Sequence, residues 1–314
     1  MLTLRRLYYL LKPAIPRGMQ LSLRSAVARH KRCAMGNVWP ILESASAKPD
    51  KFVGWPDNKE FAFILTHDVD TQRGHDRSLD LMNLEMKNGF RSSFNFVPER
   101  YTVDPVVREQ LSANGFEVGV HGLTHEGEMY DSYKIFSARA RRINHYLSEW
   151  KSVGFRSPSM FHQLDWIGDL AIEYDASTFD TDPFEPQADG VGTIYPFMVR
   201  RRSGNGYVEL PYTLAQDFTL FVLLGETTSD VWKDKLDWIV RNRGMALVNV
   251  HPDYCRTGSG APGREEYSCY LYEEFLAHVR RRYEGRFYHA LPRDLARFWS
   301  QNHRNERVYD STNV

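Results

Sequence analysis

The sequence predicts an α/β fold with a mostly parallel sheet, preceded by a basic helical arm. Three observations point there. From Glu60 onward, short apolar runs alternate with helix-patterned segments. Several of those segments end at a glycine just before the next apolar run, at Gly89, Gly115, Gly244 and Gly285, where helix C-caps are expected. The first run, FAFIL, is apolar without alternation, as in a strand buried on both faces.

Taken in order, residues 1–42 carry Arg5, Arg6, Lys12, Arg17, Arg24, Arg29, Lys31 and Arg32, and the first acid is Glu43. Two helical pieces are expected in this stretch, LTLRRLYYLLK and MQLSLRSAVARHK, parted by the Pro13–Gly18 turn. Such an arm either packs on the main domain with its arginines in water or lies on an anionic membrane surface. The polar connector ESASAKPDK closes the unit near residue 50. A catalytic domain is expected over residues 51–303, followed by a polar tail, 304–314. Within the domain the expected strands are FAFIL, SSFNFV, FEVGV, GFRS, ALVNV and RFYHAL. The expected helices are LDLMNLEMKNG, PVVREQLSANG, Ser132–Lys151, SDVWKDKLDWIVRNRG and EEFLAHVRRRYEG. Between Asp175 and Asp217 the rhythm breaks into a segment rich in Pro, Gly and Asp, expected to be an elaborated loop over one end of the sheet.

Composition narrows the function. Of 314 residues, 40 are Lys or Arg and 40 are Asp or Glu, so no basic excess points to a nucleic-acid partner. No apolar run nears the roughly 18–20 residues of a membrane helix. LYYLL is too short for the core of a secretory signal, which needs about 7–15 residues. Cys33, Cys255 and Cys269 are odd in number and lack metal-type spacing. They fit a reducing cytoplasm better than a disulfide scaffold. A cytoplasmic protein, peripheral at the inner membrane face if the arm binds lipid, is the expectation.

Polar residues cluster where strands should end, the place where α/β enzymes build their sites. FAFILTHDVD delivers Asp68 and Asp70 two residues apart, on one side of an extended chain. Two adjacent carboxylates favour a cation between them. FEVGV runs into HGLTH, so His121 and His125 share a face if the segment is helical. Two imidazoles and a carboxylate make a three-ligand site with a position left for water. GFRSPS places Arg156 to orient a carboxylate through its planar fork. ALVNVHPDY ends in His251, suited to proton transfer near neutral pH. His67 should point away from the site, and His75 receives no role.

The order D-x-D, H-x-x-x-H, R-x-P and strand-plus-His resembles the polysaccharide deacetylase (NodB-homology, carbohydrate esterase 4) family over about residues 60–295. EVGVHGLTH, Glu117 to His125, is the most specific match. The resemblance implies a distorted (β/α) barrel of about seven strands with one divalent metal, usually zinc. It implies Asp68 as catalytic base, Asp70, His121 and His125 as metal ligands, Arg156 as the arginine steering the base, and His251 as general acid. The backbone N–H near Ser159 would help hold the oxyanion. Val69 stands where the family commonly has a second adjacent aspartate, so the metal role falls to Asp70 as in a D-x-D branch. The fourth motif is not clear, and Glu209 and Asp217 are both candidates for the group that tunes His251. The implied substrate is a sugar carrying an acetyl group, most simply an N-acetyl group, in surface polysaccharide assembly. Tyr174, Phe179, Phe184, Tyr195, Phe197 and Tyr212 are candidates for stacking on sugar rings. Two alternatives are an amide hydrolase of the same fold acting on a ureide or imide, and a non-catalytic glycan-binding barrel.

Overall fold

The computed structural model describes residues 16–200 and 206–303. The first predicted helix of the arm and the polar tail lie outside these residues. Helix α1 (Arg17–Ala34) opens the described chain, followed by β1 (Phe61–Val69), α2 (Gln72–Lys87), β2 (Ser93–Phe96), α3 (Pro105–Ala113), β3 (Glu117–His121) and α4 (Tyr133–Glu149). Next come β4 (Gly154–Arg156), α5 (Leu164–Ile167), β5 (Tyr174–Asp175), β6 (Phe197–Val199), β7 (Tyr207–Glu209), a π-helical segment (Phe218–Leu224), α6 (Asp230–Asn242) and β8 (Met245–Asn249). The short pair β9 (Cys255–Arg256) and β10 (Tyr267–Ser268), α7 (Tyr270–Tyr283), β11 (Phe287–His289) and α8 (Pro292–Asn302) complete the order.

Strands β8, β1, β2, β3, β4, β5 and β7 run parallel to their neighbours in that order. Past β7 the chain closes the ring. Tyr212 N–H donates to Thr178 O, and the N–H groups of Thr213 and Leu214 donate to Leu247 O of β8. The result is a distorted (β/α) barrel of seven strands, with β6 antiparallel on one flank and β11 beside the start of β1. The Asp175–Asp217 segment is therefore more than a loop: it carries the end of β5, the short strands β6 and β7, and the closing ladder. Their runs of two or three residues were too brief to read as strands.

The heart of the barrel explains the unbroken apolar runs. Phe61–Leu65 of β1 and Met245–Val248 of β8 have no exposed surface. Each large side chain buried this way contributes on the order of 1.5–3 kcal/mol. Register then decides what the strand ends present. Asp68 pairs with Asn95, and Asn95 with Gly119. Thr66 pairs with Asn249, and His121 with Arg156.

Helix α1 packs against the π-helical segment, turning Leu21, Ser25 and Ala28 inward at helical spacing. Arg17 pairs with Glu265 and Arg32 with Glu226, while Lys31 Nζ donates to Pro183 O at 2.6 Å. Among the described residues no helix is long and apolar enough to cross a membrane. One expectation is corrected: Cys255 and Cys269 form a disulfide. The β9–β10 pairing brings their Cα atoms to 4.8 Å, a juxtaposition invisible in the spacing of the cysteines. The cysteines thus give no argument for a reducing compartment, and only Cys33 is free and exposed.

Candidate functional site

The C-terminal ends of the barrel strands open into a cleft of about 850 Å³ lined by Asp68, Asp70, His121, His125 and His251. Asp68 and Asp70 leave β1 two residues apart, as the extended geometry requires, while His67 points the other way. Its ring lies between Val250 O and Glu85 at 2.8 Å each. His121 ends β3, and its Nδ1 donates to Arg156 O at 3.0 Å, which leaves the Nε2 lone pair free to bind.

His125 converges by a route other than the expected one. The chain after His121 is a tight loop and not a helix. Gly122 adopts φ 64°, and a Cβ there would sit 2.4 Å from the Pro158 ring, so only glycine fits. His125 itself has φ 62°. Turning twice through the left-handed region folds His125 back over His121. Their rings lie 5.1 Å apart, and their Nε2 atoms stand 3.4 Å (His121) and 2.9 Å (His125) from Asp70 Oδ1.

Asp70 Oδ1 is buried without a well-aligned hydrogen bond and has the two imidazole Nε2 atoms as its near neighbours, a donor set that a cation would complete. One ligand atom from each of Asp70, His121 and His125 lies within 4.8 Å of the others. This two-nitrogen, one-oxygen set fits a divalent ion with an open position. The carboxylate is oriented from outside: Asp253 accepts the Asp70 N–H at 2.9 Å, and the Tyr254 hydroxyl reaches Asp70 Oδ2 at 3.3 Å. Burial alone would raise the Asp70 pKa, but the imidazoles of His125 and His121 hold it well below the usual carboxylate range.

Asp68 is gripped at both oxygens. Asn95 Nδ2 (3.1 Å) and Arg156 Nη1 (3.4 Å) reach Oδ1, and Asn249 Nδ2 (2.8 Å) reaches Oδ2. Burial pushes this carboxyl up, yet Arg156, His121 and His251 together pull it down to about 2. Arg156 is itself fixed by Ala176 O at 2.7 Å and the Thr66 hydroxyl at 2.9 Å. A Cβ at Gly119 would come within 2.0 Å of the Asn95 amide oxygen, so the bare rung on β3 makes room for the Asn95–Asp68 contact.

His251 Nε2 faces Asp68 Oδ2 at 4.0 Å, and its Nδ1 meets Asp217 Oδ1 at 2.6 Å. Asp217 also accepts the His251 N–H and the Tyr267 hydroxyl. Burial lowers the imidazole pKa, but Asp217 more than compensates and His251 rises to about 10. Of the two candidates for this partner, Asp217 makes the contact. Glu209 accepts from the Thr178 N–H and hydroxyl instead, with Asp175 close enough to drive its pKa well up after burial. Ser159 and Met160 line the cleft with φ of 53° and 54°, a left-handed pair between β4 and the following loop.

Other expectations resolve differently. His75 caps the entry to α3, accepting the Asp104 N–H at 3.1 Å. Of the six aromatic candidates only Phe184 lines the cleft; Tyr174, Phe179, Tyr195 and Tyr212 are core residues, because the segment holding them closes the barrel. Asn95, Asn249 and Asp253 were missed. Asn95 and Asn249 did carry a signal, as single amides in largely apolar strands, SFNF and MALVN.

No protein-family model matches the chain, and no curated protein sequence is similar to it at a significant level. Solved structures are similar. One described as a polysaccharide deacetylase of Mycobacterium smegmatis superposes with a TM-score of 0.62 at 19% identity, covering 85% of this chain and 99% of the other. Another, of Pseudomonas aeruginosa, gives 0.59 at 16% identity over 79% and 94%. The allantoinase PuuE gives 0.58 at 15% identity over 79% and 93%. The chain therefore has the fold of the polysaccharide deacetylases.

Proposed function

We propose that the chain is a member of the polysaccharide deacetylase family, a metal-dependent hydrolase that removes an acetyl group, most simply an N-acetyl group, from a sugar or glycan intermediate. The observation that carries the reading is the buried Asp70 Oδ1, without a well-aligned hydrogen bond, facing two imidazole Nε2 atoms. Asp70, His121 and His125 would hold the ion, and zinc suits their donor set. When bound, the ion would polarise the acyl carbonyl and make water a better acid.

The remaining work falls to the chain itself. Asp68, ionised and fixed at both oxygens, accepts the proton of the attacking water. Its lowered pKa makes it a weak base in isolation, so its value lies in position. Asn95, Asn249 and Arg156 leave it one orientation. His251 is protonated at neutral pH because Asp217 binds Nδ1, which leaves the Nε2 proton for the departing nitrogen. The backbone N–H of Ser159 would donate to the developing oxyanion, since that of Met160 is taken by Ser157 O.

Metal analysis and acetate release from a panel of acetylated sugars test the reading together. Purified protein should hold about one divalent ion per chain, and His121→Ala or His125→Ala should lower that content. Full occupancy in both variants overturns the ligand assignment. Ureide hydrolysis with allantoin and no acetate from any sugar would move the reaction to the alternative amide class.

A further inference from the structure

The charge around the mouth of the cleft is unevenly placed. Arg17, Arg24, Arg73 and Arg100 line one part of it, contributed by α1 and by the segments after β1 and β2. The rim acids Glu126, Glu128 and Asp131 sit together on the loop after β3, where Arg139 stands 3.6 Å from Glu126 and 3.9 Å from Glu128.

On the arginine side the cations outnumber the carboxylates within reach. Arg17 takes Glu265. Glu266 is shared by Arg77 at 2.7 Å, Arg256 at 3.7 Å and Arg73 at 3.8 Å. Arg24 and Arg100 meet no carboxylate among the described residues. Arg24 is exposed, yet it is anchored at the mouth of the cleft. Its guanidinium lies 4.9 Å above the Phe218 ring, Phe218 packs against Tyr254 with ring centroids 4.6 Å apart, and Tyr254 touches both Asp70 and His251. Ion pairs near both ends of α1 tie the helix to the barrel, and Arg24 between them meets no carboxylate at the cleft, two rings from the candidate metal centre.

We infer that the sugar substrate carries an anionic group, a phosphate or a carboxylate, and that Arg24, assisted by Arg100 from the β2 side, binds it at the rim. The inference rests on the proposed function only for the bond that is broken. It gives α1 a role in substrate choice: a helix far from the strand ends in sequence supplies a specificity residue to the cleft. A guanidinium is suited to this because its planar fork matches both oxyanions.

The test uses the full metal-loaded chain, its Arg24→Gln variant and its Arg100→Gln variant. Glutamine keeps helix propensity close to that of arginine, so α1 should persist. Binding by calorimetry and acetate release are measured with N-acetylglucosamine, N-acetylglucosamine 1-phosphate, UDP-N-acetylglucosamine and N-acetylmuramic acid. At least one charged probe should bind about tenfold or more tightly than the neutral sugar, and Arg24→Gln should remove about tenfold of that affinity. Neutral-sugar binding, metal content and kcat should stay unchanged, with the loss appearing in Kd and KM. Raising the salt should weaken only the charged probes. Preference for the phosphorylated probes or for N-acetylmuramic acid identifies which oxyanion is read. Equal affinity for neutral and charged probes, or an Arg24→Gln effect that is the same on both, overturns the inference. Arg24-dependent binding without acetate release would sink the deacetylase reading and leave this one standing. Acetate release at equal KM from neutral and charged sugars would do the reverse.

Discussion

The two ends of the barrel each bury a carboxylate completely, and the two behave in opposite ways. Asp68 sits at the C-terminal end of β1 and Glu117 begins β3 at the other end; their exposures are 3% and 2%. Burial raises both pKa values. Around Asp68 the guanidinium of Arg156 and the imidazoles of His121 and His251 reverse the effect, to about 2. Glu117 touches only neutral donors, the Tyr174 hydroxyl at 2.9 Å and the Arg293 backbone N–H at 3.1 Å, and it rises to about 7. Depth in the fold therefore does not mark the working end of this barrel. The cations gathered around the carboxylate do.

The largest expected effect separates the two acids by activity. Asp68→Asn should lower turnover by about 10²–10⁴-fold while keeping the fold and the metal. Glu117→Gln should leave turnover within about twofold, since Glu117 begins β3 at the end of the barrel away from the cleft. Comparable losses in both variants would break the comparison.

Next is the cation that makes the difference. Arg156→Met leaves Asp68 as a buried charge without its guanidinium and should destabilise the fold by about 3–5 kcal/mol in urea titrations. A cost near zero would mean that the amides of Asn95 and Asn249 suffice to hold the carboxylate.

The pH dependence of stability sharpens the contrast from the other end. The Glu117 pKa is raised in the fold, from an ordinary 4.5 to about 7. Its contribution is therefore fully present below about pH 4.5 and is lost as pH rises through about 7, on the order of 3 kcal/mol in all. Glu117→Gln should remove this slope from unfolding free energies measured between pH 5 and pH 8. An unchanged slope would show that another group carries it.

The smallest effect is expected at the rung beside Asp68. Gly119→Ala forces the Asn95 amide away and should cost about 1–3 kcal/mol of stability. Turnover should fall by less than in Asp68→Asn, because Arg156 and Asn249 still hold the base.

Much of the fold and of the site was legible because local pattern and strand-end position are properties of short segments. A short apolar run between helix-patterned segments reads as a strand covered on both faces, so FAFIL, ALVNV and the polar residues that follow them could be placed from pattern and length. That reading brought Asp68, Asp70, His121, His125, Arg156 and His251 to one end of one barrel, which is where they meet. It failed where the pattern was short, as in β5 to β7. It also failed where backbone conformation overrode spacing, as in the left-handed turns that bring His125 to His121.

The sequence by itself determined the order of the elements, the buried strands and the six side chains at their ends, since each depends on neighbours a few residues away. Tertiary structure alone decided the partnerships. Asp217 rather than Glu209 meets His251 across 34 positions. Cys255 joins Cys269 because two short strands pair. Asn249 reaches Asp68 across 181 positions, and Arg24 comes to the mouth of the cleft on a helix that precedes the barrel. Contacts of this kind are set by register, ring closure and packing, and those are fixed only when the whole barrel forms.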